Sequence, residues 1–135
     1  MKSFTVLLAF AGLVACGARS SDEQQVRDVV AKIEAAAEDR DASDVLEFVA
    51  DGYEDGNGFD KARLQNFLRG YFLAHPKLEL LANISNLEFP ADGLARAEIS
   101  VTSLALEDPD RVRLKVEFRR DGAEWRVARA DRLGR

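Results

Sequence analysis

Apolar residues in the first half of the chain follow a helical period. Val26, Val29, Val30, Ile33 and Ala37 stand at i, i+3, i+4, i+7 and i+11, while Arg27, Asp28, Lys32, Glu34 and Glu38 fill the positions between them. Such spacing places one apolar stripe on an amphipathic helix. Ser20 and Ser21 stand three residues before Glu23 and Gln24, a capping-box spacing in either register, so the helix is expected to start there and to end near Arg40. Asp41 or Ser43 can cap a second, shorter helix whose apolar set is Val45, Leu46, Phe48 and Val49. The segment 51–60, with Gly52, Gly56 and Gly58, breaks the pattern. Beyond a cap at Asp60, Leu64, Phe67, Leu68, Tyr71 and Phe72 return to helical spacing until His75-Pro76 stops it.

After Pro76 the period falls from 3.6 to 2. Residues 77–89 read as a strand of mixed phase, ended by Pro90-Ala-Asp-Gly93. In 94–106 one face carries Ala95, Ala97, Ile99 and Val101, and the phase then switches to Leu104 and Leu106, which predicts a bulge or bend near Thr102-Ser103. Residues 111–119 alternate cleanly, with Val112, Leu114, Val116 and Phe118 facing in and Arg111, Arg113, Lys115, Glu117 and Arg119 facing out. Asp121-Gly122 is a hairpin signal, and 123–130 returns as the last strand. Three helices followed by a four-stranded antiparallel meander predict an α+β domain with its helices on one face of a sheet.

Residues 1–15 stand apart. Lys2 is their only charge, Phe4 to Val14 form an apolar run, and the run stops at Gly17-Ala18-Arg19-Ser20. A membrane-spanning helix needs about 20 apolar residues, so the layout is that of a secretory signal, with 1–15 expected to be removed. Leu13-Val14-Ala15-Cys16 resembles the lipobox of bacterial lipoproteins. The resemblance implies cleavage before a lipidated Cys16, residues 16–21 as the lipid-bearing Cys and its tether, and residues 22–133 as the folded domain. Gly17 in place of an Asp after the Cys implies the periplasmic face of the outer membrane. Each buried lipid CH₂ contributes about 0.8 kcal/mol, so several chains would hold the protein to the membrane durably.

A second resemblance concerns the domain. The order helix, helix, glycine-broken turn with a Tyr, helix, then long strands ending in Asp121-Gly-Ala-Glu-Trp-Arg-Val127 is similar to the nuclear transport factor 2-like (cystatin-like cone) superfamily, which includes the SnoaL-like proteins. It implies three N-terminal helices packed on a curved four-stranded antiparallel sheet, enclosing a pocket used for catalysis in some members and for binding or assembly in others. Fold alone does not choose among these.

Composition narrows the chemistry. The chain has 135 residues and a net charge of −5, with one Cys and one His, which leaves a multi-ligand zinc site or a disulfide framework without parts. Residues 16–135 carry 18 bases and 24 acids; 22–60 hold 13 acids against 3 bases, whereas 109–135 hold 9 bases against 5 acids. An acidic secreted chain argues against nucleic acid as a partner. The basic end could meet lipid head groups or an acidic envelope protein, and the charged outward face of 111–119 could recruit an assembly partner. No cofactor is implied. A calcium loop counted from Asp51 fails at Tyr53 and Ala62, where ligands are required, so no metal site is expected.

The candidate site residues follow from side-chain direction. If Trp125 and Val127 face the core, Arg129 does too unless a bulge intervenes, and its guanidinium would need a carboxylate or an anionic ligand. Arg129, Trp125, Tyr53 and Tyr71 are therefore the candidate ligand-binding residues. Enzymes of the resembled superfamily, such as the ketosteroid isomerases, place Asp, Tyr or His in the pocket, and here Asp51, Tyr53 and His75 are the candidates. Tyr71 belongs to an apolar stripe, and His75 at the end of a helix complements its dipole. No family catalytic motif carries over residue by residue. The expectation is a lipid-anchored envelope protein whose domain binds a small apolar ligand or a protein partner. The alternatives are an isomerase or lyase using a pocket acid such as Asp51, and an envelope assembly or adaptor factor.

Overall fold

The computed structural model describes residues 17–104 and 110–134, so Cys16 and the rest of the lipobox lie outside the described residues. Three helices, α1 (Gly17–Glu38), α2 (Ala42–Glu47) and α3 (Lys61–Ala74), precede four strands, β1 (Leu80–Ala91), β2 (Leu94–Ser103), β3 (Asp110–Asp121) and β4 (Glu124–Arg132). The strands pair antiparallel in the order β1-β2-β3-β4.

The helix boundaries have local causes. Asp41 accepts from the amide of Asp44 and caps α2, and Asp60 accepts from that of Arg63 and caps α3. The C-terminus of α1 closes in a Schellman arrangement. Arg40 takes a left-handed φ of 56°, its amide donates to Ala37 O, and the amide of Asp41 reaches back to Ala36 O. At its start α1 differs from expectation: it is already helical at Gly17, so residues 17–21 of the stretch read as a tether are helical. Ala18 and Arg19 are good helix formers and no Pro intervenes, so nothing in the sequence obliges the helix to stop at the capping box.

The sheet is curved by irregularities in its two outer strands. In β1 the pairing shifts between Ser85 and Glu88, where Asn86 has φ +52°, and again between Glu88 and Ala91. In β4 it shifts between the partners of Glu117 and Phe118, so that Arg129 and Val127 face consecutive residues of β3 and Ala128 is the extra residue. The bend expected near Thr102-Ser103 does not occur. β2 pairs with β3 without a break from Leu94 to Ser103, and Ser103 continues the inward series of Ala95, Ala97, Ile99 and Val101. Leu104 follows the end of the strand and is half exposed, its amide bonded to Glu79 O.

The core lies between the helices and the concave sheet face. Val26, Val29 and Val30 of α1, Val45 and Leu46 of α2, Val49, Tyr53 and Phe72 meet Ala95, Ala97, Ile99, Val116, Phe118, Trp125 and Val127. The outward residues of β3 are charged as the alternation predicts. The sheet's last strand is extended sideways by the chain after α2. Val127 N–H donates to Phe48 O, Ala50 N–H donates to Val127 O, and Glu54 N–H donates to Ala128 O.

Candidate functional site

Between α1, the 49–53 segment, α3 and the concave sheet lies a cavity of about 240 Å³. Val30, Ile33, Leu64 and Leu68 form its helical wall, and Ala82, Ile99, Val101, Leu114, Val116 and Ala130 form its floor. It exists because α3 rests lightly on the domain. Phe72 is the one buried residue of that helix, while Leu64, Leu68 and Tyr71 are half-buried, so the helix roofs the sheet without filling the space beneath. Alanines on β1 and β4 leave the remaining volume. A cavity of about 150 Å³ with apolar walls stays dry and takes benzene, and drug-sized pockets run about 300–1,000 Å³. This one suits a small apolar molecule.

Two lining residues carry polar groups, Tyr53 and Glu34. Tyr53 is 2% exposed, and its hydroxyl donates to Asp55 Oδ2 at 2.8 Å with Ala130 O 3.4 Å away. Burial first, and the Asp55 carboxylate second, push its pKa well above the usual phenol value. The hydroxyl is thus a committed structural donor. Asp55 Oδ1 in turn accepts from the amides of Asn57 and Phe59, closing the glycine-rich turn upon itself. Gly56 N–H donates to Asp131 Oδ1 at 2.6 Å, and Asp131 also accepts from Arg129 Nε. Desolvation pulls the Asp131 carboxyl up, but the Gly56 amide and Arg129 outweigh it and hold the group below the usual carboxylate range. A Cβ on Gly56 would stand 3.1 Å from Asp131 Oδ1, which is why a residue without one suits that position. Tyr53, Asp55, Gly56, Arg129 and Asp131 together lock the 51–60 turn against β4.

The remaining candidates lie elsewhere. The Asp51 side chain is 90% exposed and pairs with Lys61 Nζ at 3.0 Å. The hydrogen bond and charge of Lys61 hold its carboxyl below the usual range, the opposite of a pocket acid raised toward neutrality. His75 is the C-cap of α3; its Nδ1 stands 2.8 Å from Tyr71 O, and its ring stacks on Tyr71 with centroids 4.1 Å apart. Tyr71 continues that stack to Phe67 and does not line the cavity. Arg129 does not face the core: the bulge at Ala128 inverts the alternation and turns it to the outer face, opposite Glu117. Trp125 is buried at the hairpin end of the sheet, edge-on to Phe89 with the Arg120 guanidinium 5.6 Å from its ring centroid. It lines an open cleft of about 470 Å³ with Gln25, Lys32 and Arg126, a cleft that shares no lining residue with the cavity.

Of the sequence candidates, only Tyr53 lines the cavity. Glu34, at i+4 from Val30 and i−3 from Ala37, occupies a slot of the apolar stripe of α1, and that misplaced charge was the signal that could have marked it. Among the described residues no group of three or more His, Cys, Asp or Glu is placed to hold a metal ion, and no described helix is long and apolar enough to cross a membrane.

No protein-family model matches the sequence, and no curated protein matches it either. The fold has many relatives among solved structures. A nuclear transport factor 2-like protein of unknown function from Shewanella oneidensis superposes with TM-score 0.67 at 12% identity, over 82% of this chain and 98% of that one. A protein of unknown function with a cystatin-like fold from Nostoc punctiforme gives 0.64 at 17% identity, over 84% and 90%. A scytalone dehydratase by provisional assignment, from Novosphingobium aromaticivorans, gives 0.71 at 8% identity, over 86% and 85%. Helices on a curved four-stranded antiparallel sheet, shared with these structures, make this chain an α+β protein of the nuclear transport factor 2-like, cystatin-like cone fold.

Proposed function

We propose that the chain is a lipid-anchored envelope protein whose cone domain binds a small apolar molecule in the cavity under α3, without catalysis. The observation that carries the binding reading is the cavity itself, about 240 Å³ with walls apolar except at Tyr53 and Glu34. Burying about 200 Å² of apolar ligand surface at about 25 cal/mol per Å² contributes about 5 kcal/mol, which corresponds to a Kd on the order of 0.2 mM. The reading as an isomerase or lyase loses its acid, since Asp51 is in solvent and the Tyr53 hydroxyl is committed to Asp55.

The fluorescence of 1-aminoanthracene, a small apolar probe, tests this reading. It should rise in the wild-type protein and not in Ala82→Phe, which fills the cavity from β1. Folding of the variant is checked through Trp125, the single Trp. Equal probe binding by both proteins would refute the site. The anchoring reading is supported by Leu13-Val14-Ala15-Cys16. Mass spectrometry of the membrane-extracted protein should find acyl groups on an N-terminal Cys16, and Cys16→Ser should move the protein to the soluble fraction. A mature N-terminus without acyl groups would contradict the anchor.

A further inference from the structure

We propose that Glu34 makes the cavity selective for amphiphiles with one cationic head group, such as alkylammonium ions, an inference that rests on reading the cavity as a ligand site. Of the described residues lining the cavity, Glu34 alone is charged, and no Lys or Arg lines it. Its position on α1 is half-buried, between Val30 and Ala37 on the same helix, both of which line the cavity. Its methylene stem therefore belongs to the wall and its carboxylate to the rim, as amphipathic side chains arrange themselves at apolar surfaces. Among the described residues no Lys or Arg forms an ion pair with that carboxylate. The other polar group of the lining, the Tyr53 hydroxyl, already donates to Asp55.

A molecule seated with its apolar body in the cavity thus meets one free charge, and that charge is negative. A cationic head group at the rim is attracted to that carboxylate. A carboxylate head meets like charge, and a hydroxyl lies between. Selection arises from the contrast of head groups, because the apolar contacts are common to all three.

Octylammonium, octanol and octanoate share one tail and test this at neutral pH by displacement of 1-aminoanthracene. The wild-type protein should prefer octylammonium over octanoate about tenfold, with octanol between them. Glu34→Gln should collapse that spread to within about twofold while octanol affinity stays unchanged. Glu47→Gln removes the same charge from an exposed position outside the cavity and should keep the full spread, which separates a local effect of Glu34 from attraction to an acidic protein. Equal affinity for all three ligands in the wild type, or an undiminished spread in Glu34→Gln, would overturn the inference and leave the cavity reading intact. Failure of all three to displace the probe would overturn both.

Discussion

Replacing Tyr53 with Phe removes one hydroxyl from a side chain that is 2% exposed and leaves the ring in place. The lost hydrogen bond, 2.8 Å long, goes to a carboxylate, and bonds to charged groups contribute about 1.5–3 kcal/mol. Asp55 is half-buried and keeps the amides of Asn57 and Phe59 on its other oxygen, so the lower end applies, about 1.5 kcal/mol at pH 7. The sign of the pH dependence follows from the raised pKa of Tyr53. A group whose pKa is higher folded than unfolded stabilises fully below the unfolded value, about 10, and loses that contribution as pH rises past it. At pH 11 the wild type should have lost most of this contribution, and Tyr53→Phe none. Urea unfolding followed by Trp125 fluorescence measures both. With a urea m-value of about 1–3 kcal/mol per M, the midpoint of the variant should fall by about 1 M at pH 7, and the two curves should nearly coincide at pH 11. A gap under about 0.3 kcal/mol at pH 7, or a gap unchanged at pH 11, would refute the assignment of the hydroxyl as the donor that closes the turn.

The same network and the core make further predictions. Asp131→Asn should cost about 1 kcal/mol at pH 7 by weakening the bonds from Gly56 N–H and Arg129. Because the folded pKa of Asp131 is depressed, its contribution is present above the unfolded carboxyl value and is lost as pH falls through the folded one; the two proteins should converge in acid denaturation. Phe118→Ala, at a fully buried position that also lines the cavity, should destabilise by about 3–5 kcal/mol in chemical unfolding, a large share of a typical domain's stability. Asp60→Ala should remove the cap of α3 and cost about 1 kcal/mol, readable as a lower Tm, while the cavity floor on the sheet stays intact.

Features set by neighbours in the chain were legible in the sequence. Asp41, one of the two caps expected for α2, and Asp60 cap their helices, His75-Pro76 ends α3, and the alternation of β3 places Val112, Leu114, Val116 and Phe118 inward because a strand has only two faces. Features set by distant contacts were not. The bulge that turns Arg129 outward lies where the 48–54 segment bonds to Val127 and Ala128, residues more than seventy positions away in the chain. No local property of Ala128 announces it. The cavity was hidden for a related reason. It is the space left over where α3 meets alanines of β1 and β4, and a void has no residue of its own to be read. The apolar stripe that contains Tyr71 is genuine, yet its far turn packs on His75 and Phe67 away from the cavity.

The central claim, that the space beneath α3 is a ligand site, is tested most directly by methyl NMR of the isotopically labelled protein titrated with octanol. Methyl resonances of Val30, Ile33, Leu64, Leu68, Ile99, Val101 and Leu114, which line the cavity, should shift together and saturate with one Kd in the sub-millimolar range. Those of Val26 and Leu104, which do not line it, should stay in place. Shifts confined to exposed methyls, or none at saturating octanol, would contradict it.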